Sequence, residues 1–136
     1  MQYVFAQKVL FKFCDPAGIV FFPRYFEMIN DCVESFFDEA IGFPFEKLLE
    51  IGGVPTAEIS TRFRAPSRHG DMLTISLGFE RLGRSSLGLS IVGTCDGEAR
   101  FESTSTLVFV DRSGKPARWP EAVRDKLNSY VKGPQK

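Results

Sequence analysis

Residues 3–13 (YVFAQKVLFKF) alternate, with Phe5, Gln7, Val9, Phe11 and Phe13 on one face and Lys8 and Lys12 on the other. That is the two-residue period of a half-buried strand. Asp15-Pro16-Ala17-Gly18 follows with Asp, Pro and Gly at the positions a tight turn favours. The next stretch, 23–41, changes period. Tyr25, Phe26, Ile29, Cys32, Val33, Phe36, Phe37, Ala40 and Ile41 form a wide apolar stripe at helical spacing, opposite Glu27, Asp31, Glu34 and Asp38. Pro23 stands where a helix start tolerates proline and Gly42 just past the end. A stripe this broad predicts a helix embraced by its surroundings.

After a short segment at 45–51, predicted as a possible helical turn, the two-residue period returns. It predicts strands at 54–64, around 73–80, around 87–91 and at 99–110, with Asp96-Gly97 as a tight hairpin turn and 120–131 as a closing helix. Strands joined by short loops must run antiparallel, because a parallel pair needs a long crossover. The expected architecture is α+β, a long central helix wrapped by a curved antiparallel sheet of about five strands, in a single domain over residues 1–136.

Composition narrows the function. Seventeen basic residues cancel seventeen acidic ones, so the chain lacks the charge excess of a nucleic-acid binder. Apolar runs stop at about four residues, as in Ile19–Phe22, far below the roughly 20 that span a bilayer, and the N-terminus offers no signal-peptide core. No nucleic acid or membrane partner is expected, and the location expected is cytoplasmic. Cys14, Cys32 and Cys95 are widely spaced and fit reduced thiols. A zinc site would need all three plus His69, at spacings unlike those of paired ligands, so no metal and no cofactor are expected. Fourteen Phe stand against three Tyr and one Trp: a well-filled core, or rings that also line an apolar pocket or a subunit interface.

Motifs of nucleotide-binding loops, metalloproteases and serine hydrolases are absent. Gly93-Thr94-Cys95-Asp96-Gly97 has the outline of a nucleophile elbow, but no histidine follows it to serve as base, and it reads as the hairpin turn. Gly83-Arg84-Ser85-Ser86 reads as another turn. Asp15 is different: a carboxylate before an aromatic segment and a helix N-terminus, whose unpaired N–H groups can hold an oxyanion. A carboxylate beside an oxyanion donor is the minimum equipment for acyl-transfer hydrolysis. Asp is equally the residue turn chemistry favours there, and local physics leaves both readings open.

The run Cys14-Asp15-Pro16-Ala17-Gly18-Ile19-Val20, continued by Phe21-Phe22-Pro23-Arg24-Tyr25, closely resembles the signature of the 4-hydroxybenzoyl-CoA thioesterase family, and Arg68-His69-Gly70-Asp71 resembles that family's lead-in to its third strand. The resemblance covers nearly the whole chain and implies the hotdog fold. It implies a metal-free acyl-CoA thioesterase in which Asp15 acts as nucleophile or general base and the backbone amide of Phe22 polarises the thioester carbonyl. It implies an acyl-CoA substrate and a homo-oligomer, a dimer or dimer of dimers, with the active site between subunits. Gly18, Tyr25, Asn30, Arg84 and Ser86 are the substrate-binding positions it suggests. Two departures stand out: Asn30 replaces an acidic residue of the helix, and Ser85 replaces a lysine near the CoA phosphates. Asn30 reads equally as a partly exposed helix residue, and Arg84 as a solvated hairpin charge. His69 reads as shaping its turn. The Phe-rich segments 21–26, 36–37 and 43–45 suggest an aromatic or medium apolar acyl group. An acyl carrier protein thioesterase and a non-catalytic acyl-CoA-binding domain are the alternatives.

Overall fold

The apolar stripe over 23–41 becomes the centre of the molecule. In the computed structural model, which describes residues 2–132, it forms α1 (Arg24–Ser35), continued by a wider π-type turn over Phe36–Ile41. Gly42 ends the helix with φ of 72°, a left-handed conformation that glycine adopts without penalty. The wide turn lets the adjacent Phe36 and Phe37 both point inward, 1% and 0% exposed. Phe36 meets the rings of Tyr3, Phe37, Phe79 and Tyr130, and truncating such a ring to alanine costs about 3–5 kcal/mol.

Around α1 runs a five-stranded antiparallel sheet in the order β1-β4-β5-β6-β3. Its strands are β1 (Gln2–Lys8), β3 (Thr56–Phe63), β4 (Met72–Leu82), β5 (Ser86–Cys95) and β6 (Glu98–Val108). A separate pair, β2 (Gly52–Gly53) with β7 (Val110–Asp111), and two helices, α2 (Phe45–Leu48) and α3 (Glu121–Lys132), complete the chain. The inward row of β4 and β5 (Leu73, Ile75, Leu77, Leu87, Leu89, Ile91) is buried against Met28, Cys32, Val33, Phe36 and Phe37, as the alternation requires. Asp96 and Gly97 take φ of 52° and 79°, the conformation of a two-residue hairpin turn. The expected order of strand, long helix, four strands and closing helix is the order observed.

The first strand is shorter than its alternation suggests. It ends at Lys8, and a tight 3-10 turn over Phe11–Phe13 follows. Phe13 stays buried, whereas Phe11, expected on the same face, is 80% exposed. The pairing explains the break: Val9 exchanges hydrogen bonds with Asp71 and Gly70 (2.7 and 2.9 Å), at the start of the neighbouring strand, and the chain then turns away. The strand expected over 99–110 is likewise two pieces, β6 and β7. Among the described residues no helix is long and apolar enough to cross a membrane.

Candidate active site

The Asp15 turn closes on itself. Gly18 N–H donates to Asp15 O (2.9 Å), and Ala17 N–H donates to Asp15 Oδ1 (2.9 Å). Gly18 takes φ of 78°, which a residue with a Cβ adopts only under strain. Among the described residues nothing hydrogen-bonds Asp15 Oδ2, and the side chain is half-buried. The turn lies between two supports. On one side Phe21 N–H donates to Phe13 O (2.9 Å). On the other Val20 N–H donates to Ser67 O (2.9 Å) and His69 N–H to Gly18 O (3.1 Å).

The start of α1 leaves one donor over. Arg24, Tyr25 and Phe26 donate their N–H groups to Phe21, Phe22 and Pro23 O, and Pro23 has none to give. The Phe22 N–H is without a protein acceptor among the described residues. It sits at the positive end of the helix dipole, beside a turn that carries a carboxylate. This donor and Asp15 are the parts expected from the sequence, and they flank the short link from the turn to α1.

One helical turn further along, a cavity of about 240 Å³ opens between α1 and the β3–β6 edge of the sheet. Phe26, Ile29 and Val33 line it from the helix, Ile59 and Leu107 from the strands, with Phe45 and Val54 at one end. An apolar cavity of about 150 Å³ takes up benzene, so this one has the volume for a single substituted aromatic ring or a chain of similar size. Three polar residues reach its wall: Asn30, exposed on α1, Thr56, exposed at the start of β3, and Ser105, buried on β6. Of the Phe-rich segments, Phe26 and Phe45 line the cavity, whereas Phe36 and Phe37 belong to the core.

Other expected positions lie elsewhere. Tyr25 is 3% exposed. Its hydroxyl donates to Ser67 Oγ at 2.8 Å inside the core, and burial pushes its pKa up. Arg84 and Ser86 sit at the β4–β5 hairpin, tied to the end of the sheet by Trp119 N–H on Arg84 O (3.1 Å) and Trp119 Nε1–H on Ser86 O (3.2 Å). Asp15 adjoins the opposite end of β4. At roughly 3.3 Å per residue, an 11-residue strand separates the two regions by about 33 Å, so a single chain does not bring them together. The His69 ring stays at the turn, 5.9 Å from the Phe11 ring.

The family model of the thioesterase-like superfamily matches residues 9–127. The chain belongs to that superfamily. Membership makes it a thioester hydrolase, and its fold is that of solved thioesterases. The 1,4-dihydroxy-2-naphthoyl-CoA thioesterase from Synechocystis is 16% identical over 98% of this chain and 100% of that one, with a TM-score of 0.88. The gentisyl-coenzyme A thioesterase BH1999 is 26% identical over 92% and 99%, with a TM-score of 0.84. A thioesterase from Thermus thermophilus, complexed with coenzyme A and Zn, is 25% identical over 97% and 96%, with a TM-score of 0.81. In this thioesterase-like chain, sequence reasoning gave no role to Ser67, Asp71 and Arg100, which hold the Asp15 turn from behind. Asp71 was visible in the Arg68-His69-Gly70-Asp71 motif. Its partner Arg100 lies 29 positions away and carried no local signal.

Proposed function

We propose that the protein hydrolyses acyl-CoA thioesters of an aromatic or medium apolar acyl group to the free acid and CoA. The observation that carries this reading is the junction itself: a carboxylate with a free oxygen on Asp15 and the acceptor-less N–H of Phe22 at the start of α1. The Phe22 N–H donates to the thioester carbonyl and stabilises the oxyanion as it forms. Asp15 then acts in one of two ways. As nucleophile it attacks the carbonyl carbon and expels the CoA thiolate, and water cleaves the resulting anhydride. As general base it takes a proton from the water that attacks directly. The products are the same, and a thiolate leaves readily without a histidine acid.

Size and kinship support the acyl class. The cavity suits one ring, and two similar structures are named for gentisyl- and dihydroxynaphthoyl-CoA. A third was solved with coenzyme A. Asn30 is then the polar contact for a substituent of the acyl group, while Gly18 closes the Asp15 turn and the buried Tyr25 anchors the first turn of α1 on Ser67. The reading includes a second copy of the chain. Among the described residues the outer edge of β3 is unpaired, and Ile59 and Phe63 on it, with Phe22 against Phe63, are exposed. Pairing two such edges covers these side chains and completes the site, and Arg84 and Ser86 reach a CoA phosphate only from another subunit.

The test is thiol release from benzoyl-, 4-hydroxybenzoyl- and phenylacetyl-CoA and short and long aliphatic acyl-CoAs, with light scattering to confirm the dimer or dimer of dimers. Turnover of an aryl or medium-chain member is expected, and Asp15→Asn should lose about 100-fold or more with fold and oligomer unchanged. Undiminished turnover in that variant would reduce Asp15 to a turn residue. Silence across the panel from a folded oligomer would favour a carrier-protein substrate or a binding role.

A further inference from the structure

The segment Pro66–Asp71, between β3 and β4, touches each part that positions Asp15. Ser67 O and His69 N–H hold Val20 and Gly18, the two residues that frame the far arm of the Asp15 turn. Ser67 Oγ, fully buried, receives the Tyr25 hydroxyl from the first turn of α1, the helix that begins just past the Phe22 amide. Gly70 and Asp71 are joined to Val9, ahead of the turn that supports Phe21. This strap has no regular structure of its own, so something else must fix its shape.

That role falls to Arg100, near the start of β6. Its Nη1 donates to Pro66 O at 3.1 Å and to Asp71 Oδ2 at 2.7 Å, gripping the two ends of the strap with one guanidinium group. Asp71 Oδ2 also accepts the Arg68 N–H at 2.9 Å. The Arg100 side chain is 11% exposed, and its Nε lies 2.8 Å from Glu98 Oε1 but off the line of a directed hydrogen bond. Arg100 Nη1 serves two acceptors at once, so losing it leaves a carbonyl and a carboxylate oxygen to find new partners.

We infer that Arg100 and Asp71 are a positioning pair for hydrolysis: through the strap they set the Asp15 carboxylate against the Phe22 amide. The inference rests on the proposed role of Asp15. Neither residue reaches the acyl cavity, whose walls come from α1, Phe45 of α2, the 54–59 segment and the far half of β6. Their loss therefore reads out in kcat rather than KM, because a misplacement of about 1 Å at a reacting group costs on the order of 100-fold.

The experiment compares wild type with Arg100→Gln, Arg100→Lys, Asp71→Asn and the double variant Asp71→Asn/Arg100→Gln, using benzoyl-CoA, well below each melting temperature. Arg100→Gln should lower kcat by about 10- to 100-fold with KM nearly unchanged. Arg100→Lys should recover part of the loss, and the double variant should be no worse than the poorer single one, because the two residues act as a unit. Amide hydrogen exchange is measured in parallel and needs no substrate. In Arg100→Gln the Val20 and His69 amides should exchange at least about tenfold faster while Leu77 and Leu89 in β4 and β5 keep their protection. Unchanged Val20 and His69 protection would overturn the inference. So would faster exchange with kcat intact. Asp15→Asn, run alongside, tells the two failures apart, since full turnover there overturns the underlying reading whatever the strap does. Should Arg100→Gln fail to fold, Asp71→Asn, which keeps the side chain's shape, carries the same expectations.

Discussion

Gly93→Ala tests how tightly the core behind the site is built. Gly93 lies on β5 directly across from Phe101 on β6, and the ring covers the space a side chain would fill. A Cβ there would stand 2.1 Å from Phe101 Cε2 and 2.7 Å from Cδ2 and Cζ. Carbon atoms in contact sit about 3.5–4.0 Å apart, so the ring must withdraw by roughly 1.5 Å. It has little room: Phe101 is fully buried and leans on Tyr25, with ring centroids 5.0 Å apart. Overpacking of this kind costs about 1–3 kcal/mol, and a rigid ring in closed contact belongs at the upper end. Restricting the unfolded chain returns about 0.4–1 kcal/mol. The net expectation is a loss of about 2 kcal/mol, a fall of roughly 6–10 °C in the melting temperature for a chain of this size. Differential scanning calorimetry reads it directly. Gly88→Ala on the same strand is the control, because its Cβ would meet only the flexible Arg81 side chain and the edge of Glu80, at 3.2–3.6 Å. Adding Phe101→Leu to Gly93→Ala should leave the pair more stable than the sum of the two single losses. A Gly93→Ala protein that melts within about 1 °C of wild type would refute the reasoning, since the contact would then be soft.

The acid limb of stability should depend on Asp71. The Arg100 guanidinium, followed by the Arg68 N–H, holds its carboxyl below the usual range. A depressed folded pKa contributes stability that is present above the unfolded value of about 3.9 and is lost as pH falls through the folded value. The melting-temperature gap between wild type and Asp71→Asn should be full at pH 7 and close progressively below about pH 4, and a constant gap down to pH 2 would contradict this. The thiols should also separate. Burial pushes Cys32 up to about 12, and Cys95 is buried as well, whereas Cys14 is partly exposed. A disulfide reagent on the native protein should label Cys14 first, with Cys32 reacting only on unfolding. Equal rates would place Cys32 outside the core.

What could be read from the sequence was whatever a short stretch of chain decides for itself. The 3.6 spacing of Phe26, Ile29, Val33 and Phe37 fixes a helix whatever packs on it, Gly42 fixes its end, and Asp96-Gly97 fixes a hairpin. The Asp15 turn was legible for the same reason: Asp, Pro and Gly determine its backbone within four residues, and its own hydrogen bonds close it. What escaped depends on partners distant in the chain. Phe11 continues the alternation of Phe5 and Val9 without a break, and only the meeting of Val9 with Gly70 and Asp71 turns it outward. The wide turn at 36–41 answers to rings contributed from β1, β4 and α3. Arg100 is one arginine among several in the sequence, and nothing in the residues beside it sets it apart. Burial singles Arg100 out, and burial is a property of the assembled sheet: antiparallel pairing of β3 with β6 carries the start of β6 back to the strap that follows β3. The site thus divides by range. Its reacting groups are local and readable, and the strap that orients them is tied in by contacts 29 or more residues apart, which composition and periodicity cannot encode.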